Sequence, residues 1–198
     1  MRCTAAKVGM AAILLAGGAR ASDGGDGPLS AEDKLRFHWR QTASWEFVAE
    51  NAAYAGVLHW MSIPAEWGQG SGAYGQRVAS ALGASAIRNV FAFALDAPLR
   101  EDPRFRRSGR GGILRRMGHA ARETVLTRTD RGRTRLAIWR FGSAIGAACL
   151  SNEWYPDRLN TFSSGMEQGA ATIGLDLLGN LASEFWPDIK RGVFRRRR

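Results

Sequence analysis

The residues in this chain that could do chemistry are few and scattered. Glu46 and Glu50 stand four apart, which on a helix puts both carboxylates on one face. Such a pair suits acid–base work or a metal site. A di-metal site would need an E-x-x-H partner on another segment, and the sequence has none. His38, His59 and His119 lie far apart, without H-E-x-x-H spacing. Neither a metal nor a cofactor is expected, and salt bridges to arginine are the expected use of the two glutamates. Gly70-Ser71-Gly72-Ala73-Tyr74-Gly75 spells G-x-G-x-x-G. A dinucleotide loop of that kind must follow a strand, and here a helical segment ending at Pro64 precedes it. The expected role is an interhelical turn anchored by Trp67 and Tyr74. No G-x-S-x-G is present. Cys149 sits in an uncharged Gly-Ala-Ala-Cys-Leu setting, so it is expected to pack as a small apolar residue rather than react.

The strongest signal is charge. The chain carries 28 lysines and arginines against 18 acids, a formal net charge of +10. Twelve arginines but only four acids fall between Arg100 and Arg135, and Lys190, Arg191 and Arg195 to Arg198 make a basic tail. Clusters of this kind bind polyanions. Arg104, Arg106, Arg107, Arg110, Arg115, Arg116, Arg195, Arg196, Arg197 and Arg198 are the expected contacts to an anionic membrane surface or envelope component.

Export makes nucleic acid the weaker partner, and export is read at the N-terminus. Arg2 and Lys7 precede an uncharged run from Val8 to Ala19, and Ala19-Arg20-Ala21 fits a small-x-small cleavage site. The run is shorter than the about 20 apolar residues a spanning helix needs. Residues 1–21 are therefore expected to be a secretory signal peptide, 22–30 a linker, 31–190 a helical domain and 191–198 a basic tail. The expected location is the periplasm or the outer envelope. Loss of the signal would remove Arg2, Lys7, Arg20 and Cys3, leaving Cys149 with no intramolecular partner.

The elements that must hold these residues read as helices. Five are predicted: 31–61, begun by Ser30 with Asp33 three residues on; 74–97, closed by Pro98; 112–126; 134–151; and 159–185, stopped by Pro187. No stretch alternates long enough to predict a strand. The fold class is all-α, a single compact domain of about five helices with the last two at its centre. In the third helix Ile113, Met117, Ala120, Ala121, Thr124 and Val125 form the expected inner face, and Arg115, Arg116, His119, Arg122 and Glu123 the outer one. The fourth carries Gly142 and Gly146, with Arg140 as its one internal charge. In the fifth, Gly165, Gly169, Thr172, Asp176, Asn180 and Ser183 form a narrow stripe where helix backbones can approach. That placement buries Asp176 and demands an arginine partner; Arg140 is expected first and Arg88 second. The longest uncharged stretch beyond the signal, Asn51 to Ala65, spans 15 residues. A conventional transmembrane helix is not expected, because a central charge costs about 2.5–3.5 kcal/mol on insertion scales.

Five segments, PAEWGQGSGAYGQR (64–77), EDPRF (101–105), TRTDRG (127–132), SNEWYP (151–156) and EFWPDIK (184–190), together resemble a family of exported bacterial proteins without an assigned activity. The resemblance implies export and one compact domain, and carries no catalytic residue. The expected function is non-enzymatic: an envelope protein held peripherally on an anionic membrane surface or an envelope partner. The alternative is a hydrolase of an envelope substrate using Glu46, Glu50, His119 or Asp176.

Overall fold

Ser30 opens the fold. Its side chain accepts from the Asp33 N–H at 3.1 Å while the Asp33 carboxylate accepts from the Ser30 N–H, a reciprocal cap that starts a helix. The computed structural model describes residues 27–109 and 111–195, with side chains through Arg191, so the expected signal peptide lies outside the described residues. Among these residues six α-helices follow one another: α1 (Ala31–Thr42), α2 (Trp45–Trp60), α3 (Ser71–Leu99), α4 (Ile113–Val125), α5 (Ile138–Ser151) and α6 (Phe162–Arg195). Between α4 and α5 a hairpin of β1 (Leu126–Arg128) and β2 (Thr134–Leu136) pairs antiparallel, with Thr127 opposite Arg135. The domain is compact and mostly helical. Helix α5 packs between α3 and α6, α3 also carries α1 and α2, and α4 lies along α6.

Several boundaries depart from expectation for identifiable reasons. The predicted helix over 31–61 is two helices, because Ser44 caps a new start: its Oγ accepts from the Phe47 N–H at 3.1 Å. Pro98 and Pro187 lie inside α3 and α6 rather than ending them. Pro98 falls in the final turn of α3, and α6 continues beyond Pro187 to Arg195. Residues 134–136, predicted helical, are spent on β2; three-residue strands are too short to show alternation.

Helix α4 is rotated from its expected orientation. Of its expected inner face only Ala120 and Thr124 are buried, while Ile113 is 68% and Met117 43% exposed. Arg116, expected outside, turns inward. Its ion pair to a buried glutamate decides the rotation, since a stranded internal carboxylate costs more than a few exposed apolar side chains.

The small-residue steps behave as expected. A side chain at Gly165 would place Cβ 3.1 Å from the Cys149 Cα, and one at Gly169 would place it 3.0 Å from the Ile145 Cα. Gly142 and Gly146 instead make room for side chains of α3, those of Leu95 and Phe91. These contacts bring α5 close to both neighbours. Cys149 is half-buried and free.

What fills the interior is unusual. Among the described residues, the buried hydrophobic side chains apart from Phe105 and Trp139 are alanines, including Ala55, Ala92, Ala137 and Ala144. The largest fully enclosed side chains are Arg77, Lys34, Glu101 and Glu184. Large apolar side chains stand outside: Leu114 is 83%, Phe162 74%, Trp39 68% and Trp45 67% exposed.

Candidate functional site

The buried charges are satisfied in clusters. Glu101 is enclosed and accepts from the Trp139 N–H at 3.0 Å, capping the first turn of α5, and from Arg135 Nε at 2.8 Å. Arg77 donates to the carbonyls of Ile63, Pro64, Gly68 and Ala73, at 2.7 to 3.1 Å, and so fastens the turn before α3. Tyr74 reaches the Ala52 carbonyl at 3.1 Å and Trp67 stacks on Tyr155. The glycine-rich segment thus opens α3, with no strand before it among the described residues.

Part of the basic stretch is turned inward, while Arg100, Arg115, Arg122, Arg128, Arg131 and Arg133 are exposed. Asp102 takes Arg104 at 2.9 Å and Arg106 at 3.0 Å. Burial alone would raise the Asp102 carboxyl, but the Arg104 guanidinium and backbone N–H, with a smaller part from Arg106, outweigh it and hold it below its ordinary value. Arg104 also reaches the Gly27 carbonyl at 2.7 Å, tying down the chain before α1. Glu184 accepts from the N–H groups of Ser108 and Gly109, at 2.8 and 2.9 Å, and from Arg116 Nε at 3.0 Å. Against the upward push of burial, the Gly109 N–H, the Arg116 guanidinium and the Ser108 N–H hold this carboxyl low as well. Arg116 reaches on to Asp188 and lies over the Phe185 ring. His119 Nε2 lies 2.7 Å from the Arg106 carbonyl, clear of the chamber described next. Arg107 is half-buried and Arg115 exposed. Arg110 and Arg196 to Arg198 fall outside the described residues, as does the side chain of Arg195, whose backbone ends α6.

At the middle of the molecule Asp176 of α6 meets Arg88 of α3 and Arg140 of α5. Arg88 holds it through both terminal nitrogens, Nη1 lying 3.0 Å from Oδ1 and Nη2 contacting Oδ2; Arg140 Nη1 adds 3.2 Å to Oδ2. Both expected partners are present. The Arg140 guanidinium also stacks over Trp139 at 4.6 Å. Around this triad lies a chamber of about 120 Å³, lined also by Glu46, Glu50, Asn51, Ser85 and His38. Three of the four sequence-proposed chemical residues, Glu46, Glu50 and Asp176, therefore share one cavity, and His119 does not. The chamber adjoins a groove of about 370 Å³ between α2, α3, α5 and α6, with Glu50, Asn51, Ser85, Arg88 and Asp176 common to both. Ser85 donates to Asn51 at 2.7 Å along that boundary.

Sequence reasoning missed the pair beside the chamber. His38 Nε2 lies 2.6 Å from Asp96 Oδ2, both side chains buried. Lys34 Nζ lies 3.2 Å from both the Asp96 carbonyl and Asp130. Each is a charged or polar residue on the inner face of a helix, a signal visible only once that face is known. Among the described residues no group of three or more His, Cys, Asp or Glu is arranged to hold a metal. In comparisons with protein-family models, curated proteins and solved structures, nothing matches this chain.

Proposed function

We propose that this protein is a non-enzymatic, exported helical domain that associates with a membrane of the cell envelope, and that its apolar exterior carries the attachment. The observation that carries the reading is the inverted exposure of its side chains. In water, large apolar residues go inside and charges stay out. Here Trp39, Trp45, Trp60, Val90, Ile113, Leu114 and Phe162 face outward over several helices, while arginine, lysine and glutamate fill the interior. Side chains so distributed suit a lipid surround, where ionisable groups turn toward the protein interior and pair.

Helix α3 fits the same reading. It is long and apolar enough to cross a membrane by length and composition. Its charges cost less than a linear reading of the sequence suggests. Arg77 is bound to carbonyls, Arg88 to Asp176, and Asp96 to His38. Arginine charge has the secondary part, because Arg104, Arg106 and Arg116 are engaged with internal carboxylates. Arg115 and the tail remain candidates for headgroup contact.

Fractionation of cells expressing the full chain tests the proposal. The protein is expected in the membrane fraction, to stay there through a high-salt wash, and to leave with detergent. Release by salt alone would return the attachment to surface charge. The hydrolase alternative draws its support from Glu46 and Glu50 sharing the chamber. Asp176, gripped by two guanidiniums, is poorly placed to exchange a proton.

A further inference from the structure

Helix α4 packs by its polar side. Arg116 pairs with Glu184 of α6 at 3.0 Å, Thr124 accepts from the Asn180 amide at 2.9 Å, and His119 Nε2 lies 2.7 Å from the Arg106 carbonyl. The apolar side faces out: Ile113, Leu114, Met117 and Val125 are all exposed and fall on one side of the helix. A surface helix of a protein in water is built the other way round, apolar side inward. No other described helix separates its two sides as sharply.

An arginine edge borders that face. Arg115 and Arg122, seven residues apart and both exposed, line up beside the apolar side chains. Neither guanidinium has an ion-pair or hydrogen-bond partner among the described residues. The hairpin that follows α4 adds exposed Arg128, Arg131 and Arg133. The acids of the same stretch do not offset them. Glu101 and Asp102 are buried with arginine partners of their own, and Asp130 is paired with Lys34. Glu123 falls between Arg116 and His119 on the packed side, half-buried.

An apolar strip with unmatched arginine along its edge suits the boundary between acyl chains and anionic headgroups, where hydrocarbon takes the strip and phosphate takes the guanidiniums. A second copy of this chain fits worse, because a two-fold contact sets the same arginines against each other. We propose that α4 lies in the plane of the membrane interface, with Ile113, Leu114, Met117 and Val125 in the outer acyl region and Arg115 and Arg122 on the phosphates of anionic lipid. The proposal rests on the membrane reading above and adds to it the lipid class and the element that meets it.

Reconstitution of the chain into bilayer discs of phosphatidylcholine, with and without phosphatidylglycerol, tests it. Entry into the discs on detergent removal reads the attachment itself. The place of α4 is read by the rate at which Leu114→Cys reacts with an uncharged polyethylene glycol maleimide. Glu32→Cys, at an exposed polar site, is the reference, and both are made in a Cys3→Ala, Cys149→Ala background. Relative to Glu32→Cys, Leu114→Cys is expected to react at least about fivefold more slowly with phosphatidylglycerol present than without it, the ratio set by about 1 kcal/mol from one engaged arginine. Adding Arg115→Gln and Arg122→Gln is expected to abolish that difference, as is about 1 M salt, which screens charge beyond about 3 Å. All three side chains are exposed, so the fold is expected to survive, and circular dichroism checks this. Equal rates in the two lipids, as a protein partner or a second copy on this face would give, overturn the proposal. So does a difference that survives loss of both arginines. In either case a chain that has entered the discs keeps its membrane reading; a chain that stays out of both overturns that reading and this one with it.

Discussion

Arg88 of α3 and Asp176 of α6 face each other as a two-pronged ion pair, with Nη1 3.0 Å from Oδ1 and Nη2 on Oδ2. Arg140 closes the third side. The three helices that make up the middle of the fold are thereby joined at one carboxylate.

Removing that carboxylate strands two guanidiniums. Asp176→Ala is expected to destabilise the fold by about 3–5 kcal/mol, the usual result of breaking a buried pair. Asp176→Asn keeps the shape and part of the hydrogen bonding and is expected to cost less. Thermal unfolding of both variants checks the order; an unchanged melting temperature for Asp176→Ala would refute the structural role.

Glu184 and Asp102 set an acid limit. Both carboxyls titrate below their ordinary values in the folded chain. The stability they contribute is therefore present above the unfolded carboxylate range, about pH 4, and is lost as pH falls through the lower folded values. Melting curves taken downward from pH 6 are expected to show a falling midpoint below about pH 4. Glu184→Gln is expected to be less stable at pH 7 and to show a shallower fall, having already lost one of the two groups.

The glycines of α6 divide by what lies opposite. Gly169→Ala places a methyl 3.0 Å from the Ile145 backbone and is expected to cost about 1–3 kcal/mol, since overpacking forces the helices apart. Gly174→Ala meets nothing within 4 Å and is expected to gain about 0.5–1 kcal/mol from helix propensity. Opposite signs in chemical denaturation support the close approach; equal signs argue against it.

Processing of the leader is tested directly. Protein recovered from the cell envelope is expected to begin at Ser22, and N-terminal sequencing reads this. A retained Met1 in that material would remove the case for export.

How much of this was legible in the sequence depended on isolation. Arg140 stood out as the one internal charge of an apolar helix, and Asp176 by its place in a stripe of small residues where close helix approach would bury it. The glycine steps of α5 and α6 were legible for the same reason. The break at Ser44 was not, because a serine inside an apolar run reads as tolerated until its hydroxyl is seen to cap Phe47. The hairpin at 126–136 escaped because three residues cannot establish a period. The basic cluster was the instructive case. Asp102 lies near Arg104 in sequence, but Glu184 is 68 residues from Arg116. Counting arginines along the chain finds the charge and misses the partner, so braces read as a surface. The chamber was half legible: Glu46 and Glu50 were expected on one face, while His38 and Asp96 needed α1 and α3 side by side.

An interior of alanines and paired ions also shapes how the chain responds to temperature. Unfolding normally releases hydrocarbon into water, and each apolar Å² adds about 0.45 cal/mol/K to the heat capacity while each polar Å² subtracts about 0.26. In this chain many of the large apolar side chains are already outside, and much of what unfolding newly wets is carboxylate, guanidinium and amide. The heat-capacity increment is accordingly expected to fall below the about 12–15 cal/mol/K per residue of ordinary domains, which calorimetry reads. A smaller increment would make the stability curve a broad, shallow arch: little gained on cooling, little lost on moderate warming, and cold denaturation displaced to lower temperature.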